Sequence, residues 1–423
     1  MSRLVLQNAL LDGAPAWVEI RGGTIERITR EVPHGESSGA RVIDASGLHL
    51  FPSFKNGHTH AAMTLFRGWG DDLPLMEWLE TRIWPAEARM TEEHVYHGTR
   101  LALLEMIRGG TTYLNDMYWH SAAVGRAVEE MGLRAHLGSV FIDLGDEATG
   151  RKWRAAVERE LDELGDLHPR LQRAVAPHAI YTVGPENLEW LGERAREHDL
   201  LFHIHLSETR EEVERCLQVH GVRPAFLLER LGLVTAHLVA AHGVYLDPDE
   251  LAVLGEAGAT VATNPTANLK LATGGIFDYP TAREAGVRVV LGTDGVGSNN
   301  NLDLLEEMKI AALVQKHRAM DATVLPAREA LALATTNPSQ AFGLGSGTVE
   351  EGAPADLVLL DLSGPWAQPG HDTVSDVVYA AHGSAVHTTV CDGVVLMHDR
   401  VVEVADEAEI IREARRAARE LVG

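Results

Sequence analysis

The chain has 423 residues, 45% hydrophobic and 23% charged, the proportions of an ordinary globular protein with room for one large core or two. Its formal net charge of -24 repels phosphate backbones and anionic lipid, so nucleic acid and membrane surfaces are excluded as general partners. There is no run of about 18 apolar residues for a membrane span and no signal-peptide core; Cys216 and Cys391 stand too far apart for a disulfide framework or a cysteine zinc site, and a cytoplasmic protein is expected.

Residues 1–52 read as short strands and turns: Leu4–Leu11, Ala16–Ile20, Thr24–Ile28 after the Gly22-Gly23 turn, and Arg41–Ile43 before Ser46-Gly47. Glu31–Gly39 reads as a loop. Over 53–352 apolar strand-like runs alternate with amphipathic helical runs. Strands are predicted at Leu50–Phe54, Thr111–Leu114, Arg134–Val140, Gln172–Ala176, Leu201–His205, Leu238–Ala241, Thr260–Thr263 and Val287–Gly292. Helices are predicted at Glu92–Arg108, Glu186–Glu197, Glu211–Val219 and Pro248–Glu256. This alternation predicts a (β/α)8 TIM barrel; a doubly wound sheet would need a phosphate-binding glycine fingerprint that is missing. Over 353–423 short strands return at Asp356–Leu362, Val374–Ala381, Ala385–Cys391 and Val394–Met397, followed by a helix over Ala405–Val422. The two β-rich ends are expected to build one small β-sandwich domain beside the barrel, with Phe51–Phe54 as the hinge.

In such a barrel, catalytic side chains stand at the C-terminal ends of strands. His58 and His60 follow the first strand, and residues two apart on a strand point to one side, so both imidazoles aim at one spot. Other strand ends carry Asn115-Asp116, Pro177-His178, His203-Ile204-His205, Ala241-His242 and Thr293-Asp294. His58, His60, His205 and Asp294 then offer three nitrogens and one carboxylate, a set suited to zinc, with iron, manganese or nickel as alternatives. His203 shares a side with His205. Spacing does not choose between them, but His205 lies nearer the strand end and is taken as the ligand, leaving His203 to the core or to a place behind the ligands. No Lys or Glu ends the fourth strand, so one metal ion is expected rather than two. Glu208 can reach the attacking water and shuttle protons, although a Glu in the first turn of a helix has the same address. His242 is a candidate for stabilising developing charge, with a buried structural histidine as the plain alternative.

Six segments carry a resemblance to a known family: His58–Gly68, Trp84–Glu87, Glu105–Thr112, His203–Glu208, Asn268–Ala272 and Gly292–Asn301. Over nearly the whole chain they resemble the amidohydrolase superfamily, and within it the 5′-methylthioadenosine/S-adenosylhomocysteine deaminases, close also to the 5′-deoxyadenosine deaminases. The resemblance implies a metal-dependent hydrolase that converts 5′-modified adenosines (5′-methylthioadenosine, S-adenosylhomocysteine, 5′-deoxyadenosine, adenosine) to inosine analogues and ammonia. It implies that His58, His60, His205 and Asp294 hold the metal. Glu208 and His242 would work on the adenine ring, and Asp294 would also take a proton from water. Glu87 would hold ribose hydroxyls, and His178 would help bind the nucleoside. Arg151 matches one of two arginines that read an amino-acid tail in some members. The other would fall near Ser139-Val140, where no Arg stands, which leaves the smaller 5′ groups at least as good candidates.

The implied partner is a small nucleoside, and assembly into a homo-oligomer is left open. A different ring aminohydrolase (guanine, pterin or s-triazine) is the alternative, although Glu87 would be useless to a bare base. A non-catalytic barrel is a further alternative, against which the complete ligand set argues. Asn300 or Asn301 is a candidate cap for a helix over Leu302–His317. Trp69, Trp78 and Trp84 could stack on a base or simply pack, and Asn268 and Lys270 belong to a substrate loop or an ordinary turn. Nothing in the sequence explains Lys55 and Asn56.

Overall fold

A computed structural model describes residues 3–31, 39–162 and 167–422, and most of the loop expected over Glu31–Gly39 lies outside the described residues. Alternating apolar residues near the N-terminus form β1 (Arg3–Leu11), β2 (Ala14–Arg21), β3 (Thr24–Thr29), β4 (Arg41–Asp44) and β5 (Leu48–Pro52). A bulge at Asn8, with φ 58°, divides β1, whose first half pairs in parallel with β4 while Leu10 meets β5. The C-terminal part adds β14 (Leu357–Asp361), β15 (Val386–Cys391), β16 (Val394–His398) and β17 (Val401–Val402). β14 pairs antiparallel with β5, so both chain ends share one sheet of nine strands, over a core that includes Leu6, Val18, Ile25, Leu50 and Leu359.

The second sheet has eight strands in sequence order, each parallel to its neighbour. They are β6 (Phe54–Thr59), β7 (Thr111–Tyr118), β8 (Arg134–Phe141), β9 (Leu171–Pro177), β10 (Leu201–Leu206), β11 (Leu238–His242), β12 (Thr260–Thr263) and β13 (Arg288–Leu291). The edges meet where the amides of Thr293 and Asp294 each donate to the His58 carbonyl at 3.1 Å, which closes the TIM barrel. Gly292 permits that approach, since a Cβ there would lie 2.8 Å from the His58 backbone and 2.4 Å from Asn264 Oδ1. Tyr113, Val239, Ala262, Val290 and Phe342 form an apolar cluster among these strands, with the Tyr113 and Phe342 rings stacked at 5.1 Å. Among the described residues no helix is long and apolar enough to cross a membrane.

Four sequence expectations are corrected. The first barrel strand is Phe54–Thr59, not Leu50–Phe54; the chain passes from one sheet to the other at Ser53, whose amide bonds the Asp356 carbonyl. The second barrel strand does not stop near Asn115-Asp116 but runs to Tyr118. Both polar side chains are buried with partners, Asn115 Nδ2 on the Gly57 carbonyl and Asp116 Oδ1 on the Ala61 amide, so burial does not break the strand. The β-branched run expected as a strand over Val374–Ala381 is the helix Thr373–Tyr379. Asp372 caps it by accepting from the Ser375 amide, and Val377 and Val378 pack inward, which outweighs β propensity. The helix expected over Leu302–His317 is Leu304–Ala319, capped by Asp303 and not by Asn300 or Asn301.

Candidate active site

Four side chains converge where the barrel closes. Nε2 of His58 and Nε2 of His60 lie 3.4 and 3.2 Å from Asp294 Oδ1, and Nε2 of His205 lies 3.3 Å from that of His60. Each of these three spacings suits two ligands bonded at about 2 Å to one ion, the length of zinc–nitrogen bonds; His58, His60 and Asp294 form one ion-competent group, and His205 adjoins it through His60. Hydrogen bonds behind the rings set the tautomers. Nδ1 of His60 meets the Met117 carbonyl at 2.6 Å and Nδ1 of His205 the His178 carbonyl at 2.7 Å. A carbonyl only accepts, so each Nδ1 carries a proton, which leaves Nε2 as the atom that would face a cation. Nδ1 of His58 meets Nε2 of His203 at 2.9 Å, which places His203 behind the cluster, one of its two expected places. The buried Nε2 of His58 makes no hydrogen bond, a cost that a bound cation would remove. His58, His205 and His242 form a second cluster of ring nitrogens close enough to share an ion.

The electrostatics fit a divalent ion. Burial drives His58 down to about 3. Burial also disfavours a charged His60, but the hydrogen bond and charge of Asp294 outweigh it and raise His60 to about 9. Burial acts against a charged Asp294 too, yet His58 and His60 hold its carboxyl well below the usual range. A deep carboxylate that draws positive charge onto its neighbour suits a bound dication.

Polar clamps hold this set in place. Asn56 Oδ1 accepts from the Thr293 amide at 3.1 Å and its Nδ2 donates to Thr293 Oγ1 at 2.7 Å, so it ties β6 to the turn that presents Asp294. Ser298 Oγ donates to Asp294 Oδ2 at 2.6 Å. Lys55 is fully buried and donates to the Ser53 carbonyl at 2.8 Å, close to where the two sheets meet. Glu212 receives the Ser207 and Glu208 amides, both at 2.8 Å, and so fixes the left-handed turn (Ser207 φ 52°) that presents Glu208.

A cavity open to solvent is lined by His60, His205, Asp294, Glu208, His242, His178 and Glu87. Burial, then the charge of Asp294, pushes Glu208 up to about 8, toward the protonated form. Glu87 reaches the cavity from the segment that covers it and accepts from the Tyr118 hydroxyl at 2.8 Å. Burial drives His178 down to about 3, so it stays neutral. Trp78 and Trp84 line the cavity, whereas Trp69 packs against Phe66 at 5.7 Å between ring centres. Arg151 is not brought here. It lies on the helix Glu147–Asp162, is 63% exposed and pairs with Glu147 one turn away, because a short exposed helix turn satisfies it locally. The sequence reading missed Tyr118, Glu212 and Ser298. Tyr118 ends a strand expected to stop before Asn115-Asp116, and the apolar Met117-Tyr118-Trp119 beyond that polar pair is the usable signal.

Residues 49–396 match the amidohydrolase family. A 5′-deoxyadenosine deaminase of Methanoregula boonei is 50% identical over 382 residues, covering 90% of this chain and 86% of the relative. A 5-methylthioadenosine/S-adenosylhomocysteine deaminase of Archaeoglobus fulgidus is 42% identical, covering 90% of each. A zinc-bound adenosine deaminase from Xanthomonas campestris shares the fold with a TM-score of 0.92 at 34% identity, over 99% of this chain and 98% of that one.

Proposed function

The chain belongs to the amidohydrolase family, and from that premise we propose that it is a hydrolytic deaminase of 5′-modified adenosines, yielding inosine analogues and ammonia. The observation that carries this reading is the meeting, in one cavity, of Glu208, His242 and Asp294 with the ribose-competent carboxyl of Glu87. His58, His60, His205 and Asp294 would hold one ion, in our reading zinc, whose Lewis acidity makes water nucleophilic near neutral pH.

The other steps belong to side chains of this chain. Glu208, protonated when the nucleoside enters, hands its proton to a ring nitrogen and makes the amine-bearing carbon electrophilic. Asp294 takes the proton of the attacking water. His242 stabilises the tetrahedral carbon, and a proton passed to the amine lets ammonia leave. Glu87 accepts from the ribose hydroxyls, held by Tyr118, while His178 lines the nucleoside's path. Among the described residues that line the cavity there is no Arg or Lys. An amino-acid tail would have to reach beyond this lining to Arg215, in an adjoining pocket that shares Leu75, Tyr181, Glu208 and Leu271, so in our reading small uncharged 5′ groups suit the cavity best.

The test is ammonia release from a panel of 5′-deoxyadenosine, 5′-methylthioadenosine, adenosine, S-adenosylhomocysteine and guanine. The first two are expected to have the highest kcat/KM, with S-adenosylhomocysteine at least about tenfold lower. Guanine as the best substrate would overturn the nucleoside assignment.

A further inference from the structure

His242 ends β11 in a left-handed backbone conformation (φ 74°) and is 1% exposed. Its Nδ1 faces two side-chain amides, Asn268 Nδ2 at 3.0 Å and Asn264 Nδ2 at 3.3 Å. Asn264 is the firmer guide to orientation, because its Nδ2 also meets the Ala262 carbonyl at 3.3 Å, an acceptor that only an N–H can satisfy. With both amide nitrogens turned to Nδ1, a proton there would point at two N–H donors, so this arrangement favours the Nε2–H tautomer. Glu208 Oε1, the nearest carboxylate, stands 3.8 Å from Nδ1, too far for a hydrogen bond. This is the reverse of His60 and His205, whose Nδ1 atoms face carbonyls.

We propose that Asn264 and Asn268 are positioning residues that hold His242 as the Nε2–H tautomer, making it a hydrogen-bond donor to the reacting centre and excluding it from the metal set. Nδ1 is taken by amides and Nε2 by a proton, so neither nitrogen has a lone pair for an ion. Of the two ion-competent clusters, this leaves the one formed by His58, His60 and Asp294, which His205 adjoins with its Nε2 3.3 Å from that of His60. The donor role rests on the deaminase reading; the tautomer does not.

The test uses metal-loaded protein labelled with 15N-histidine, with the His242 signals identified by their loss in His242→Asn. The wild type is expected to show a bare Nδ1 and a protonated Nε2. Asn268→Asp places an acceptor opposite Nδ1 and is expected to move the proton there. With it, kcat should fall on the order of 100-fold, as when one preorganised donor is lost, while KM and the metal content stay near wild type. A protonated Nδ1 in the wild type overturns the proposal even in an active enzyme. So does an Asn268→Asp variant with unchanged His242 signals and unchanged kcat. The wild-type spectrum decides alone if the variant does not fold. Failure of the panel to release ammonia would overturn the deaminase reading and leave this spectrum untouched.

Discussion

Glu208 shows how one residue's surroundings set its chemistry. Burial and then the charge of Asp294 raise it to about 8, which suits the acid role proposed for it. Glu208→Gln keeps the shape and cannot move a proton, so turnover of 5′-deoxyadenosine should fall about 10²–10⁴-fold with metal content unchanged. Ammonia release and metal analysis on one sample check this, and a near-wild-type rate would show that Glu208 is not the acid. His136 makes a different prediction, about pH and stability. It is buried, bonded to the Tyr113 hydroxyl at 2.8 Å, and burial drives it down to about 4. The unfolded chain takes up this proton near pH 6.5 and the native chain only near 4, so the native state loses stability as pH falls through that window. Urea unfolding at pH 7 and pH 4.5 should therefore show a pH-dependent loss about 2–3 kcal/mol smaller in His136→Asn than in wild type. At this scale the sequence revealed side chains on a strand's own period, such as His58 and His60. It concealed Asn56 and Asn264, whose roles depend on partners brought close only by the fold.

At the scale of elements, the cover of the cavity runs from Arg67 through the short helices Leu75–Trp78 and Trp84–Glu87. Lys270, undecided from sequence between a substrate loop and a turn, ties that cover down. Its Nζ bonds Asp71 Oδ1 at 2.7 Å and also reaches Asn300, whose amide donates to Asp71 Oδ2 at 3.1 Å. The pair is partly exposed, so its contribution is at most about 1 kcal/mol. Lys270→Met should accordingly raise KM up to about 5-fold with kcat little changed, and speed hydrogen exchange over residues 70–87. Unchanged KM and exchange would show that the latch holds nothing. Helices with a clear apolar period, Glu92–Arg108 and Pro248–Glu256, were legible to the residue. The helix Thr373–Tyr379 was not, because its residues favour strands and only its cap and its packing make it helical.

At the scale of the molecule, the alternation of strand and helix made the barrel readable, while the junction between the sheets was not. Arg134 on β8 reaches Asp356 at 2.9 Å and Asp392 at 2.8 Å, and thereby joins the barrel to the sheet of the chain ends. Such contacts depend on a 222-residue separation that no local pattern reports. Ser53 and Arg134 stand at the starts of β6 and β8, at the opposite strand ends from His58, His60 and the cavity.

The most direct measurement follows ammonia from 5′-deoxyadenosine while the ion is removed and returned. Purified protein should hold close to one equivalent of divalent metal and release one ammonia per nucleoside. It should lose activity in step with metal removed by a chelator and recover it on adding zinc. Full ammonia release from protein stripped of metal would contradict the account.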